Sequence, residues 1–356
     1  MTEEMLPRKK LGLLGCGDIG RYHLLAYRDL VDLVACCDIR PEAAEAFKRE
    51  FGFVRSYTRM EDLMADPDIE LVDVCTQVSI DPNSLTNSRF AAVQAGAPTG
   101  KHFLIEKPLA WEIDSAREIV EMCDRAGVRL GIGHRFRYTS TMNRAKELLK
   151  SDGYGDPFHA VYLLSHFGWS PPKPYARRPQ MTIMEIGIHA FDLFRYLLDD
   201  EPTSVYCVTG RGGMRGVEDG PGDTHFDAIV KFRRGCVGNI YLSIDNYVGR
   251  KSWQTNWYGE VLVECSKGAI EVAGPDDEST LRHAGPDGRV EAIAAEGEST
   301  GFRGLMVEML RALRDDREPT MSGRDHLNTL ATSFAAYESA DSGRPVVPRL
   351  FEPALR

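Results

Sequence analysis

The run Gly15-Cys16-Gly17-Asp18-Ile19-Gly20 constrains this chain more than any other feature. It follows a short apolar stretch, residues 11–14, and opens a segment with helical spacing. That context predicts strand, tight turn and helix. Glycine at the first position permits the turn. At the second it lets a pyrophosphate approach the backbone, and at the third it lets the helix pack on the strand. The N–H groups freed at the helix start, which includes Asp18 and Ile19, form an anion site together with the helix dipole. Taken alone such glycines also mark ordinary turns. Here a second apolar strand, residues 33–37, ends at Asp38, 18 residues past Gly20. An acid at that place accepts hydrogen bonds from the adenosine ribose hydroxyls and repels a 2′-phosphate. The expected cofactor is therefore NAD rather than NADP, with Arg40 as a nearby cation that works against the preference.

Composition narrows the remaining choices. A chain of 356 residues, 43% apolar and 27% charged, reads as a soluble globular protein of about two domains. The net charge of −10 and the lack of a dense basic block argue against nucleic-acid and membrane-surface roles. No apolar run approaches the roughly 20 residues that span a bilayer. Residues 1–10 carry no apolar signal core. The eight cysteines include no C-x-x-C pair. They read as reduced core thiols of a cytoplasmic protein rather than disulfides or zinc ligands, and no metal is expected.

Residues 1–133 alternate strand and helix. Strands are expected near 10–15, 33–38, 70–75, 102–106 and 129–133, and helices near 18–29, 41–51, 86–96 and 112–127. That alternation predicts a parallel sheet with helices on both faces, a Rossmann domain. From 134 to 356 the pattern changes. A helix near 139–150 precedes strands near 157–167, 203–210, 224–233, 236–245, 256–265 and 268–273, interrupted by a helix near 184–198. Phe226, Ala228, Val230 and Phe232 alternate with polar residues, as in a half-buried strand. Grouped strands predict an α+β domain with a large, open, mostly antiparallel sheet. Residues 274–301 read as a long loop or an exposed hairpin. Helices near 302–314 and 325–340 close the chain and are candidates to pack back on the first domain. Val237, Ile240, Leu242 and Ile244 are expected to put apolar side chains on both faces of their strand. An apolar outer face calls for a second subunit, so a homodimer or homotetramer is expected.

Two segments carry chemistry. Glu106-Lys107-Pro108 ends the fifth predicted strand, and ligands of open parallel sheets bind beyond such strand ends. Lys107 there points at the nicotinamide end. The second segment is Glu185-Ile186-Gly187-Ile188-His189-Ala190-Phe191-Asp192. On a regular helix, positions 185, 189 and 192 share a face, so a carboxylate can orient the histidine. A histidine amid apolar helix residues is more often a satisfied core group than a catalyst. The H-x-x-D spacing lacks the second histidine or cysteine that zinc needs.

Taken together in this order, the glycine fingerprint, Asp38, Glu106-Lys107-Pro108 and Glu185-x-Gly-x-His189-x-x-Asp192 resemble the glucose–fructose oxidoreductase / inositol dehydrogenase family. The resemblance implies NAD or NADP, a cleft between the domains and a polyol or sugar substrate. It implies Lys107 and His189 as catalytic residues, Glu185 in the acid position, and Glu106 at the nicotinamide ribose. Thr76-Gln77 stands where the family has Thr-Pro, and Glu185 where it has aspartate. Pro179-Gln180-Met181 replaces a glycine run, and residues 78–100 are longer than usual and lack a histidine. Arg137 resembles a family arginine at the substrate. His134, Trp169 and Tyr175 are further substrate candidates, the last two equally readable as loop packing. The expected reaction passes a hydride between nicotinamide and a sugar, sugar derivative or cyclitol. Either His189 or Lys107 takes the hydroxyl proton. An NAD-dependent glycosidase and a non-catalytic dinucleotide sensor are the alternatives.

Overall fold

The computed structural model describes residues 6–77, 88–165, 181–212, 222–244, 259–273, 279–294 and 301–351. The chain forms two units. The first comprises residues 1–135, 302–327 and 352–356, and the second residues 136–301 and 328–351.

In the first unit six parallel strands stand in the order β3-β2-β1-β4-β5-β6. They are β1 (Lys10–Leu14), β2 (Asp32–Cys37), β3 (Arg55–Tyr57), β4 (Leu71–Val74), β5 (His102–Ile105) and β6 (Leu130–Ile132). The helices are α1 (Asp18–Tyr27), α2 (Pro41–Phe51), α3 (Met60–Ala65), α4 (Ser88–Gly96) and α5 (Ile113–Ala126). The short β3 and α3 have too few residues to show a period and were not expected from the sequence. Helix α5 forms because Ala116, Ile119, Val120 and Cys123 bury one stripe at helical spacing. It ends at Gly127, whose φ of 66° closes the cap. Strand order reverses between β1 and β4, which opens the crevice where such sheets bind ligands. Helix α8 (Phe302–Arg314) joins this unit. The Arg303 guanidinium holds it to the end of α1, donating to the Ala26 carbonyl at 3.0 Å and to Asp29 at 2.8 and 2.9 Å. The edge strand β6 is covered by the segment before α9 (Gly323–Ser342), since the Ile132 N–H donates to the Met321 carbonyl at 2.8 Å.

The second unit is built on eight strands in the order β14-β13-β12-β11-β7-β10-β9-β8. These are β7 (Pro157–Ser165), β8 (Pro202–Gly210), β9 (His225–Phe232), β10 (Val237–Ser243), β11 (Glu260–Cys265), β12 (Gly268–Ala273), β13 (Thr280–Ala284) and β14 (Val290–Ala294). Among the described residues only β7 and β10 of this sheet pair in parallel. The stretch 274–301 thus contributes an edge hairpin, β13–β14, the second of the two readings its polar sequence allowed. Helices α6 (Ser140–Leu149) and α7 (Ile188–Leu198) belong to this unit. Phe191 stacks on Phe226, and Phe194 meets Phe232 edge-on, each pair at 6.2 Å. The expected inner face of β9 is therefore the core. On β10 the apolar residues divide unevenly between the two faces. Ile240, Leu242 and Ile244 are all buried together, and only Val237 has the opposite parity. The outer face gets its apolar character instead from Tyr206, Val208, Ile229 and Tyr241, which are exposed.

Candidate active site

Each glycine of the first loop has a separate steric reason. Gly15 takes φ 105°, and a Cβ there would stand 3.0 Å from the Cys75 carbonyl carbon and the Thr76 nitrogen at the end of β4. At Gly20 a Cβ would meet the Gly15 carbonyl oxygen at 2.5 Å, so the helix can lie this close to its own loop only without a side chain. At Gly17 a Cβ would meet nothing within 4 Å. That open side faces a cavity of about 500 Å³ lined by Gly15, Gly17, Asp38, Arg40, Thr76 and Ser88 among others. No side chain caps the start of α1 at Gly17, so its first N–H groups remain available for an anion. Asp18 and Ile19 are exposed in its first turn.

Asp38 closes the same cavity. Its Oδ2 accepts from the Cys16 N–H at 3.0 Å and Arg40 Nη2 at 3.2 Å, and its Oδ1 from the Arg40 N–H and Nε, both at 3.0 Å. Those four bonds take up about all the lone-pair sites a carboxylate offers. Burial opposes its ionisation, yet the Arg40 and Cys16 donors outweigh that and hold the carboxyl below its usual range. Thr76 lies beyond β4, its hydroxyl 2.8 Å from that of Ser88.

The Glu106-Lys107-Pro108 segment follows β5, with a cis peptide before Pro108. Lys107 is half-buried. Glu106 is buried, and Gly133 makes room for it, since a Cβ there would stand 2.5 Å from Oε1. Beneath it lies a polar cluster that the sequence reading missed. His23 of α1 is fully buried between two acids, with Nδ1 2.9 Å from Asp73 Oδ2 and Nε2 3.1 Å from Glu106 Oε1. Tyr27 donates to the same Asp73 oxygen. Burial alone would push the His23 pKa down, but Asp73 and its neighbours hold it well above the ordinary value. Burial likewise opposes ionisation of Glu106, while His23, Lys107 and Arg89 keep its carboxyl below the usual range. Arg89 of α4, also buried, donates through Nη1 to the Glu106 and Pro108 carbonyls and through Nη2 to the Thr76 carbonyl at 2.7 Å. Two signals in the sequence pointed here. Asp73 interrupts the apolar run of a central strand, and His23 and Tyr27 stand four apart on the inner side of α1. Buried polar groups at such places must have partners.

In the second unit the expected regular helix over 184–198 is not regular. Residues Ile183–Gly187 form a π-turn that runs into α7. Glu185 sits in the wide turn and His189 in the first turn of α7, so the expected single face through 185, 189 and 192 spans two helix types. Gly187 lets this turn lie on the sheet, since a Cβ there would be 2.7 Å from the Phe226 ring. Asp223 anchors the start of the segment, accepting from the Met181 N–H at 2.8 Å. His189 is largely buried, its ring centroid 4.4 Å from that of Phe136. Asp192 is engaged by Arg137, whose Nε and Nη2 lie 2.8 and 2.5 Å from its two oxygens. Arg137 is 3% exposed and braces α7 through this ion pair. His134, the next substrate candidate, is buried as well. It is 1% exposed, with Nε2 2.6 Å from His326 Nδ1 in the first unit's core. Trp169 and Tyr175 lie outside the described residues. Among the described residues no helix is long and apolar enough to cross a membrane.

A parallel sheet in this strand order, a glycine loop shaped for a pyrophosphate and an acid at the end of β2 define a dinucleotide-binding protein, and the residues present fit NAD. The comparisons agree and go further. The profile of the oxidoreductase family with an NAD-binding Rossmann fold matches residues 9–134, and that of the GFO/IDH/MocA C-terminal domain matches residues 142–271. The chain is 28% identical to D-apiose dehydrogenase of Paraburkholderia graminis, over 97% of this chain and 91% of that one. It is 30% identical to inositol 2-dehydrogenase of Rhizobium meliloti, over 95% and 98%. A crystal structure of an oxidoreductase from Agrobacterium radiobacter, in complex with NAD+, L-tartaric acid and magnesium, superposes with a TM-score of 0.84 at 23% identity, covering 96% and 98%. The chain belongs to the GFO/IDH/MocA family of NAD-binding oxidoreductases.

Proposed function

We propose that this protein is an NAD-dependent dehydrogenase of a sugar, sugar derivative or cyclitol. The observation that carries the reading is Lys107 held at the end of β5 by a buried anchor, in a chain similar along nearly its whole length to apiose and inositol dehydrogenases. Bound NAD supplies the hydride acceptor, and the protein supplies position and charge. His189 takes the proton of the substrate hydroxyl. The Lys107 ammonium holds the same oxygen and stabilises the negative charge that develops on it. Glu185, one methylene longer than the family's aspartate, fills the acid position near His189. Asp38 selects NAD over NADP. Incubation with NAD and a panel of aldoses, apiose, inositols, anhydrosugars and glycosides tests the reading by absorbance. NADH formation with a polyol is expected. Aglycone release without NADH would replace the reading with a glycosidase, and binding without turnover would replace it with a sensor.

The protein is further proposed to form a homodimer or homotetramer through the outer face of the eight-stranded sheet. Tyr206 stands opposite Ile229 on neighbouring strands, with Val208 and Tyr241 in the adjacent row across Asp227. Four large exposed apolar side chains on neighbouring strands favour an interface. Light scattering should give a multiple of the 39.7 kDa chain mass, with Ile229→Glu releasing subunits. A parent monomer at micromolar concentration would end the proposal.

A further inference from the structure

We propose that His23 is a positioning residue for the nicotinamide end of the cofactor site, holding the Glu106 carboxylate in place from below. Its two ring nitrogens carry the assignment. Each faces a carboxylate oxygen, Asp73 at 2.9 Å and Glu106 at 3.1 Å. Ionised carboxylates only accept, so the ring serves both only by donating from both nitrogens, as an imidazolium. Its surroundings require such a charge. Asp73 Oδ1 is buried with no hydrogen-bond partner among the described residues, and a buried carboxylate so poorly satisfied needs a cation beside it. The other groups around the ring are Tyr27 of α1, whose hydroxyl donates to Asp73, and Cys75, whose sulfur lies 3.5 Å from Nδ1. Phe302 of α8 packs on the ring at 4.5 Å and carries the Arg135 guanidinium 4.7 Å from its own centroid. Lys107 and Arg89 are the remaining charges acting on Glu106.

The consequence lies at the mouth of β5. His23 holds Glu106 through Oε1 alone. Oε2 is left to meet a ligand group, and the backbone of the same residue is held from the other side by Arg89. The segment that carries Lys107 is thus fixed from both sides. His23 does not touch the reacting atoms and acts through Glu106.

The inference rests on the dehydrogenase reading, and the test keeps the two apart. Dissociation constants for NADH and for ADP, which lacks the nicotinamide riboside, are measured by calorimetry on the parent, His23→Gln, Glu106→Gln and the double variant. A parent that holds NADH no better than ADP overturns the dehydrogenase reading and this inference with it. With that reading intact, His23→Gln should weaken NADH about tenfold, the scale of a lost charged hydrogen bond, with ADP unchanged. The double variant should be no worse than the weaker single one, because both substitutions break the same link. Equal loss of both ligands, or additive losses in the double variant, would leave His23 a merely structural role and overturn the proposal. Should His23→Gln fail to fold, ring-nitrogen NMR of the parent decides. Both nitrogens of His23 should stay protonated at about pH 8, above the ordinary range of histidine, and a neutral ring there would overturn the assignment.

Discussion

The two ends of the proposed cofactor site in the first unit are made in opposite ways. The adenosine end is made of backbone. Gly15, Gly17 and Gly20 set its shape by having no side chain, Asp38 and Arg40 reach it from the surface, and its cavity is open. The nicotinamide end is made of buried side chains. His23, Asp73, Glu106 and Arg89 come from two helices and two strand ends, with His23 between the two carboxylates and Arg89 on the backbone carbonyls beside them. The difference teaches where each end is vulnerable. A backbone-made turn fails when a Cβ is added, and the one side chain it depends on is Asp38. A wired site tolerates little change of charge and loses hold of the nicotinamide end while the adenosine end still binds.

The largest effect should fall on chemistry without touching the backbone-made end. Lys107→Ala and His189→Ala should each lower kcat by about 10²–10⁴-fold, with ADP affinity unchanged. Near-normal turnover in either variant would remove that residue from the mechanism, once circular dichroism shows a folded chain.

Next come the glycines, which separate folding from binding within one loop. Gly20→Ala pushes a Cβ against the Gly15 carbonyl, a backbone atom that cannot step aside, and should cost about 1–3 kcal/mol of stability. Gly17→Ala points into open space, so thermal unfolding should change little while NAD affinity falls. If the two variants behaved alike, the steric account of the loop would be wrong.

Asp38→Ala should weaken NAD about 10- to 100-fold and narrow the NAD-over-NADP ratio, by loss of two hydrogen bonds to an ion. A tenfold preference of the parent for NADP in kcat/KM would contradict the role of Asp38.

The buried end should show itself in pH. The His23 pKa is raised on folding, so its contribution to stability is complete below about pH 6.5, its unfolded value. That contribution drains away as pH rises toward the folded value, by up to about 1.4 kcal/mol per pH unit. Melting temperature should therefore fall on the alkaline side of about pH 6.5, and His23→Gln should flatten that slope. An unchanged slope would take the charge off His23.

The smallest effect concerns Arg40. Its guanidinium occupies the Asp38 oxygens that a ribose diol needs, and it is more than half exposed. An exposed pair is worth at most about 1 kcal/mol, so Arg40→Ala should tighten NAD by no more than about fivefold and weaken NADP. Weaker NAD binding in this variant would mean that Arg40 helps hold the cofactor rather than competing with it.

How much of this was legible in the chain follows the same division. The Rossmann strands and most helices stand within a few residues of where periodicity put them, because an amphipathic or fully apolar run writes its burial into its own spacing. Gly15 to Gly20 and Asp38 were legible because a backbone-made site depends on residues adjacent in sequence or one strand apart. The π-turn at Ile183–Gly187 was not legible. It depends on Gly187 meeting Phe226, a residue 39 positions away, and no local pattern encodes that approach.

The sequence by itself determined the class of each unit, the glycine loop and the chemical types at positions 106, 107 and 189, since those follow from local propensity and fixed spacing. Tertiary structure alone decided what the charged groups do. It set Arg137 against Asp192 and His134 beside His326, and it placed His23 under Glu106 across 83 positions of chain. The reason is physical. A buried charge is governed by the partner that desolvation forces on it, and which partner that is depends on how distant segments pack.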